Sequence, residues 1–420
     1  MPTTVVHSNQ ISATLFVSLE MSKDDWKLTF AVTGETRLRR RAVAAGSLPP
    51  LLREIESAKQ ALRIPAETPV ISCYEAGRDG FWLHRALVAS GIDNRVLDAS
   101  SLEVDRRRKQ AKTDRLDGER LVRALMRYVQ GDRLACRVVH VPSREDEDAR
   151  QMQRELQTLR GERTAHRNQM QSLLFAQGIR CEVEGAGFEP MLAHCETGDG
   201  HPLPPGLRQR LLRSFARLRQ CVEQIRAIEE ERDALFRAAE ERSRAGRQDG
   251  PAHEAIAVRL FELRGVGDEC AWTFATELFG WRNFRNRRQL GAVLGLTPVP
   301  YASGQMNQEQ GLSKTGNSRL RALTIELAWL WLRYQTDSEL TKWYQQRFAT
   351  GNRRVRRIGI VALARKLMVA LWKWVEQGEV PSGAVLKTPE QRRRHRRTRS
   401  LTARGRPTSQ GNPLTETTAM

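Results

Sequence analysis

The chain has 420 residues, of which 40% are hydrophobic and 28% charged, enough apolar material for two or three folded domains and too much for a chain that stays unfolded. Lysine and arginine number 69 against 49 aspartate and glutamate, a formal charge of +20, and the positive charge is clustered, which points to nucleic acid as the polyanionic partner. Six cysteines without a CxxC pair argue against a zinc ribbon or a disulfide framework and fit a reducing cytoplasm; no signal peptide and no membrane-length apolar run is seen, because Arg365 and Lys366 interrupt the best candidate.

Residues 14–135 read as α/β. TLFVSLE, WKLTFAV and TRLRRRAV are three short strands in succession, the third polar enough for a sheet edge, so an antiparallel meander is expected. PPLLREIESAKQAL follows as a helix with proline near its start, PVISCYE as a buried strand, GFWLHRALVASG as a helix closed by Gly91, and NRVLD as a last short strand. The order is βββαβαβα, with KTDRLDGERL on the final helix.

Residues 143–245 read as an antiparallel coiled-coil hairpin. Ser143 and Asp146 have the spacing of a capping box. Met152, Leu156, Leu159, His166, Met170 and Leu173 step by heptad intervals, as do Leu211, Phe215, Leu218, Val222 and Ile225. The Gly/Pro-rich stretch between them makes an irregular tip. Such a hairpin is a spacer or an oligomer contact.

Residues 255–380 read as all-α. Leu263–Gly267, LRGVG, resembles a helix-hairpin-helix turn whose glycines would let backbone N–H groups approach a phosphate. YASGQMNQEQGLSK reads as a polar loop, with Lys314, Arg319 and Arg321 placed for phosphate contact around it. Residues 381–420, with EQRRRHRRTRS, read as a disordered basic tail, either solvated or a nucleic-acid arm.

The chemistry-bearing acids fall at strand ends in the first region. Glu20 closes TLFVSLE and Glu75 closes PVISCYE, and open α/β sheets bind ligands at the carboxyl ends of their strands. Asp114 and Asp117 follow at i and i+3 on one helix face, beside Lys112 and Arg115. Singly, each acid reads as solvated or paired with a neighbouring cation. As an ordered set of four oxygen donors in a basic protein, they read as ligands of Mg²⁺ or Mn²⁺. Two such ions would suit phosphodiester chemistry.

SLEMSKDDW, CYEAG, KTDRLDGERL, LRGVG and YASGQMNQEQGLSKTGNSRLR, in this order, resemble the DEDD-type transposases of bacterial insertion sequences, also described as bridge-RNA-guided recombinases. The resemblance spans roughly residues 14–375, and KTDRLD and SKTGNSRLR are its most specific pieces. It implies a RuvC-like (RNase H-like) domain, a coiled coil, and a helical domain carrying a catalytic serine. The implied metal set is Glu20, Glu75, Asp114 and Asp117, and the implied nucleophile is Ser303, activated by groups of the metal-binding domain. It further implies DNA element ends and target as substrates, a noncoding guide RNA, and a homodimer or homotetramer. One position departs from the family pattern: Glu20 stands where an aspartate begins the set, moving the carboxylate by one methylene, on the order of 1.5 Å. Two other readings remain open, a RuvC-like nuclease using metal-activated water and a decayed nucleic-acid-binding protein.

Overall fold

The computed structural model describes residues 13–77, 80–102, 114–247, 249–303, 306–313, 316–388 and 390–392. They divide into two compact units, Met1–Val141 and Pro142–Met420.

The first unit is a five-stranded mixed sheet with helices on both faces. Strands β1 (Leu15–Met21), β2 (Asp25–Val32) and β3 (Arg39–Ala44) form the expected antiparallel meander, and β4 (Val70–Glu75) and β5 (Asp93–Leu97) add in parallel on the other side of β1, in the order β3-β2-β1-β4-β5. The period-2 alternation of β1 decides its two faces. Leu15, Val17 and Leu19 pack with Leu51, Ile55 and Ala58 of α1 (Leu48–Ala61) and with Leu83 and Leu87 of α2 (Trp82–Ala89). Phe16 faces the opposite way, toward Leu121, Val122 and Leu125 of α3 (Asp114–Val129). Pro49 and Pro50 open α1, where a missing N–H costs no intrahelical bond. Gly91, at φ +80°, turns the chain after α2 into β5 as the sequence predicts. The edge strand β3 is basic, and Arg39 is held by Glu54 at 2.9 Å and Arg40 by Glu119 at 3.0 Å.

The second unit begins with α4 (Arg144–Asp148), closed at its start by the capping box of Ser143 and Asp146. Helices α5 (Gln151–Phe175) and α7 (Pro205–Arg244) run antiparallel: Leu156 and Leu159 meet Ile225, while Met170 and Leu174 meet Leu211, Phe215 and Leu218. The seam drifts from a strict heptad. Val222 is 41% exposed and Cys221 is buried in its place, and Leu174 replaces Leu173 as the fully buried residue. This is the expected consequence of 3.6 residues per turn in a straight helix. The tip is irregular as expected apart from α6 (Phe188–His194), and it is packed, with Phe188 and Leu192 against Phe215 and Val183.

Beyond the hairpin, α8 (Ala252–Phe261), α9 (Asp268–Phe274), a π-turn (Ala275–Phe279), α10 (Arg287–Val293), α11 (Ser318–Tyr334), α12 (Glu339–Phe348) and α13 (Arg353–Gln377) surround a core that includes Trp272, Leu327, Trp331, Leu363 and Met368. Two expectations are corrected. The region is not all-α: the stretch expected as a polar loop forms an antiparallel pair, β6 (Pro298–Ser303) and β7 (Met306–Leu312). Nor does an unstructured tail begin at 381. Pro381 is buried, Leu386 bridges to Leu263, and the Lys387 ammonium donates to the carbonyls of Phe261 and Val266, each at 2.6 Å. The segment is held through its backbone and Lys387, with Ala384 against the core and Val385 and Leu386 exposed; residues 393–420 lie outside the described residues. Among the described residues no helix is long and apolar enough to cross a membrane.

Candidate active site

The two strand-end glutamates become neighbours because β1 and β4 are adjacent and parallel. Leu19 pairs with Tyr74, so Glu20 and Glu75 are the next residues on each strand, with the same parity and hence on the same face of the sheet. That face carries α3. Helix and sheet approach closely at Gly118, whose carbonyl accepts a hydrogen bond from the Ser18 hydroxyl at 2.7 Å. A Cβ on Gly118 would lie 2.6 Å from Oγ1 of Thr29, so only glycine permits this spacing without rearrangement. Ser18 is two residues before Glu20, and Asp117 is one residue before Gly118, so the contact seats Asp117 beside the strand ends.

Glu20, Glu75 and Asp117 accordingly line one cavity of about 660 Å³, together with Lys23 and Arg120. Arg120 stands 3.7 Å from Asp117. Cys73, one β4 pleat before Glu75, is no competing nucleophile: burial first, then Cys136 and Glu75, push its thiol well above the ordinary range. The donor set is oxygen only, the kind that hard divalent cations prefer. Among the described residues, no three His, Cys, Asp or Glu side chains are close enough to share a metal ion, so the acids ring the cavity without converging. Asp114 opens α3 one turn before Asp117, and its side chain, like that of Arg115, lies outside the described atoms. Lys112 lies outside the described residues.

Ser303 belongs to the second unit. It ends β6 opposite Met306, so the connection is the dipeptide Gly304–Gln305, which lies outside the described residues, as do the Ser303 side chain and Lys314. The base of this hairpin is cinched. Ser313 donates its N–H to the Thr297 carbonyl at 3.0 Å and Asn317 to that of Val293 at 2.8 Å. A Cβ on Gly316 would fall 2.2 Å from the Gly295 nitrogen, and one on Gly295, at φ +63°, would strike the Arg321 guanidinium. Asn317 then caps α11 by accepting from Arg319 and Leu320. Arg319 reaches back to Glu277, at 3.7 Å.

The LRGVG turn joins α8 to α9 with Gly265 at φ +89°. Its backbone is used within the protein. Arg264 N–H donates to the Val385 carbonyl, Val266 N–H to that of Leu263, and the buried Gln335 amide clamps the Arg264 and Val385 carbonyls. The tryptophans divide as packing predicts, Trp26, Trp272, Trp281, Trp331 and Trp374 being buried and Trp82 and Trp329 exposed. Sequence reasoning missed Gly118, although a glycine inside a helix beside two acids was its signal. It also missed Glu277, an acid inside the apolar run FATELFGW.

Residues 257–345, from α8 to α12 and including the β6–β7 hairpin, match the family described as Transposase IS116/IS110/IS902. The chain is 41% identical over 391 residues to the putative transposase y4rJ of Sinorhizobium fredii, covering 89% of this chain and 95% of that protein. It is 29% identical over 243 residues to the transposase for insertion sequence element IS1328 of Yersinia enterocolitica, covering 57% and 66%. It is 27% identical over 303 residues to the transposase for insertion sequence element IS1111A of Coxiella burnetii, covering 70% and 75%. With nearly its whole length aligned at that first level of identity, the chain belongs to the IS116/IS110/IS902 family of transposases.

Proposed function

We propose that the protein moves an insertion sequence by metal-dependent DNA cleavage and strand exchange, with Ser303 as nucleophile and a noncoding RNA choosing the sites. The observation that carries the reading is the cavity that gathers Glu20, Glu75 and Asp117 from β1, β4 and α3. With Asp114 they would hold Mg²⁺ or Mn²⁺, in a first unit of RuvC-like type. A bound divalent cation there supplies charge stabilisation to a phosphodiester oxygen.

The serine step balances without an external energy source. Ser303 Oγ forms a bond to phosphorus, the bridging P–O bond to one deoxyribose breaks, and the proton lost from Oγ offsets the one gained by the departing oxygen. A hydroxyl of the exchanged strand then attacks the phosphoserine and restores the serine. The position of Ser303 at the end of a two-stranded hairpin supports a presented nucleophile, and Arg319 and Arg321 in the first turn of α11, at the base of that hairpin, would supply cations for phosphate contact. The excess of basic residues supports a guide RNA, which would carry sequence choice by pairing. The active form in this reading is a homodimer or homotetramer.

The test is recombination with Mg²⁺, the flanking noncoding RNA and DNA bearing the element ends, resolved on denaturing gels. Wild type is expected to give a protein–DNA adduct that Ser303→Ala abolishes and that Asp117→Ala reduces to background. Cleavage surviving Ser303→Ala would replace the serine mechanism with hydrolysis by metal-activated water. Binding without cleavage by folded wild type would leave only a nucleic-acid-binding role.

A further inference from the structure

The π-turn at Ala275–Phe279 buries a carboxylate where the surrounding charge is positive. Gly280 donates its N–H five residues back to the Ala275 carbonyl at 2.7 Å, the bond that defines the π-turn, and such turns recur at functional sites. Glu277 is 2% exposed. Arg154 of α5 binds it twice, at 2.8 and 3.1 Å, and Arg319 of α11 lies 3.7 Å away. Two residues past the turn, the Trp281 ring has guanidiniums on it from Arg282, at 3.9 Å from its centroid, and from Arg150, at 4.7 Å.

This is more cation than the local acid accounts for. Among the described residues Arg282 has no carboxylate partner, and its Nε is buried without an acceptor. Burial first, and then repulsion by Arg150, lower the Arg282 guanidinium to about 10, against the attraction of Glu277. Arg150, only 6% exposed, donates through Nε to the Asp146 carbonyl. Burial and Arg154 lower it too, while Glu277, Glu147 and Asp146 attract it at longer range. Two guanidiniums held on one indole repel each other, and this opposes the cation–π attraction that each makes to the ring. A guanidinium stacked on a ring keeps its in-plane N–H edges for a planar or tetrahedral anion. Arg154 and Arg319, 43% and 28% exposed, leave part of each fork accessible while Glu277 fixes their orientation.

We propose that Arg154, Arg282 and Arg319, organised by Glu277, Trp281 and the buried Arg150, form a binding site for the phosphodiester backbone of a nucleic acid. This deepens the transposase reading by naming where the polyanion is held, and it rests on that reading only for the identity of the anion. Glu277, Trp281 and Arg150 are positioning residues; Arg154, Arg282 and Arg319 make the contacts. The chemistry is shared by DNA and RNA, which the test separates.

The experiment measures the affinity of the full chain for a duplex DNA and for a single-stranded RNA across a salt series, with Arg282→Gln, Arg319→Gln and the double variant beside wild type. Each lost phosphate contact is expected to make the log–log salt slope shallower by about 0.9 on duplex DNA or about 0.7 on a single strand. The melting temperature of Arg282→Gln without nucleic acid should hold or rise, because a repulsive charge has gone. A slope change on one probe alone assigns the site to that nucleic acid. Unchanged slopes on both probes, with a lowered melting temperature, would make the arginines structural props and overturn the proposal. Should Arg282→Gln fail to fold, the partly exposed Arg319→Gln carries the same slope test. Binding does not depend on cleavage, so failure of the Ser303 or Asp117 variants to behave as expected is read separately.

Discussion

Replacement of Gly118 by alanine tests whether helix-to-sheet spacing sets the geometry of the carboxylate cavity. A Cβ there would stand 2.6 Å from Thr29 Oγ1, where ordinary contact begins near 3.4 Å, so α3 must retreat by about 1 Å or Thr29 must turn away. Thr29 is β-branched, 4% exposed and set in the middle of β2, which leaves it little room to turn. Alanine gains about 1 kcal/mol of helix propensity over glycine, and overpacking costs about 1–3 kcal/mol, so the net loss of stability is small, about 0–2 kcal/mol. The effect on cleavage is larger. Asp117 moves with the helix while Glu20 and Glu75 stay with the strands, and if this cavity is the proposed reacting centre, a misplacement of about 1 Å there costs on the order of 100-fold. The assay is the initial rate of Mg²⁺-dependent cleavage beside thermal melting. Thr29→Ala added to Gly118→Ala removes the obstructing hydroxyl and is expected to restore most of the rate. Full activity in Gly118→Ala alone, with stability within about 2 kcal/mol of wild type, would refute the spacing argument.

Other expectations follow from the same kind of reasoning. Gly161→Ala on α5, where a Cβ meets nothing within 4 Å, should raise stability by about 0.5–1 kcal/mol in denaturant melts. Arg232 is fully buried and held by Asp233 at 3.1 Å and Asp268 at 3.6 Å; Arg232→Ala removes these contacts and leaves a void, and should cost about 1–3 kcal/mol by the same measurement. Burial lowers the Lys387 ammonium to about 7, against the pull of Asp268. An unfolded lysine titrates near about 10.4, so between those values the unfolded chain holds the extra proton and stability rises with pH; Lys387→Met should flatten the melting temperature across that window relative to wild type. Burial raises the Cys270 thiol, so alkylation of the native protein at pH 8, followed by mass spectrometry, should mark Cys270 only after denaturant is added.

The first unit is legible in the sequence because its signals are local and strong. β-branched runs, turn residues and the acid at each strand end suffice to mark β1, β4 and the positions of Glu20 and Glu75. That those two lie side by side follows from the parallel pairing of β1 with β4, which strand patterns alone do not state. The β6–β7 hairpin is hidden because its residues are polar and carry two prolines, so no apolar alternation marks it; the two-residue Gly304–Gln305 connection is the clue. The drift of the α5–α7 seam, which exchanges Val222 for Cys221, arises from the pitch of a straight helix and cannot be read by counting sevens. Glu277 escapes notice because an acid inside an apolar run looks like a surface residue until the π-turn aims it inward. The strap at 384–387 is masked by the charge block beside it.

The cinched base of the β6–β7 hairpin makes it a lever arm. Gly295 and Gly316 leave the pivot no slack, whereas Ser303 stands five residues along the strand from Pro298, about 17 Å at strand rise. Over that arm a tilt of only about 3° sweeps the tip by about 1 Å, a displacement at which the proposed serine nucleophile would lose its line of attack. Angular stiffness at two glycines at the base of the hairpin would thereby set the aim of the proposed serine nucleophile. Bulk introduced at either glycine would misdirect the hydroxyl without touching it.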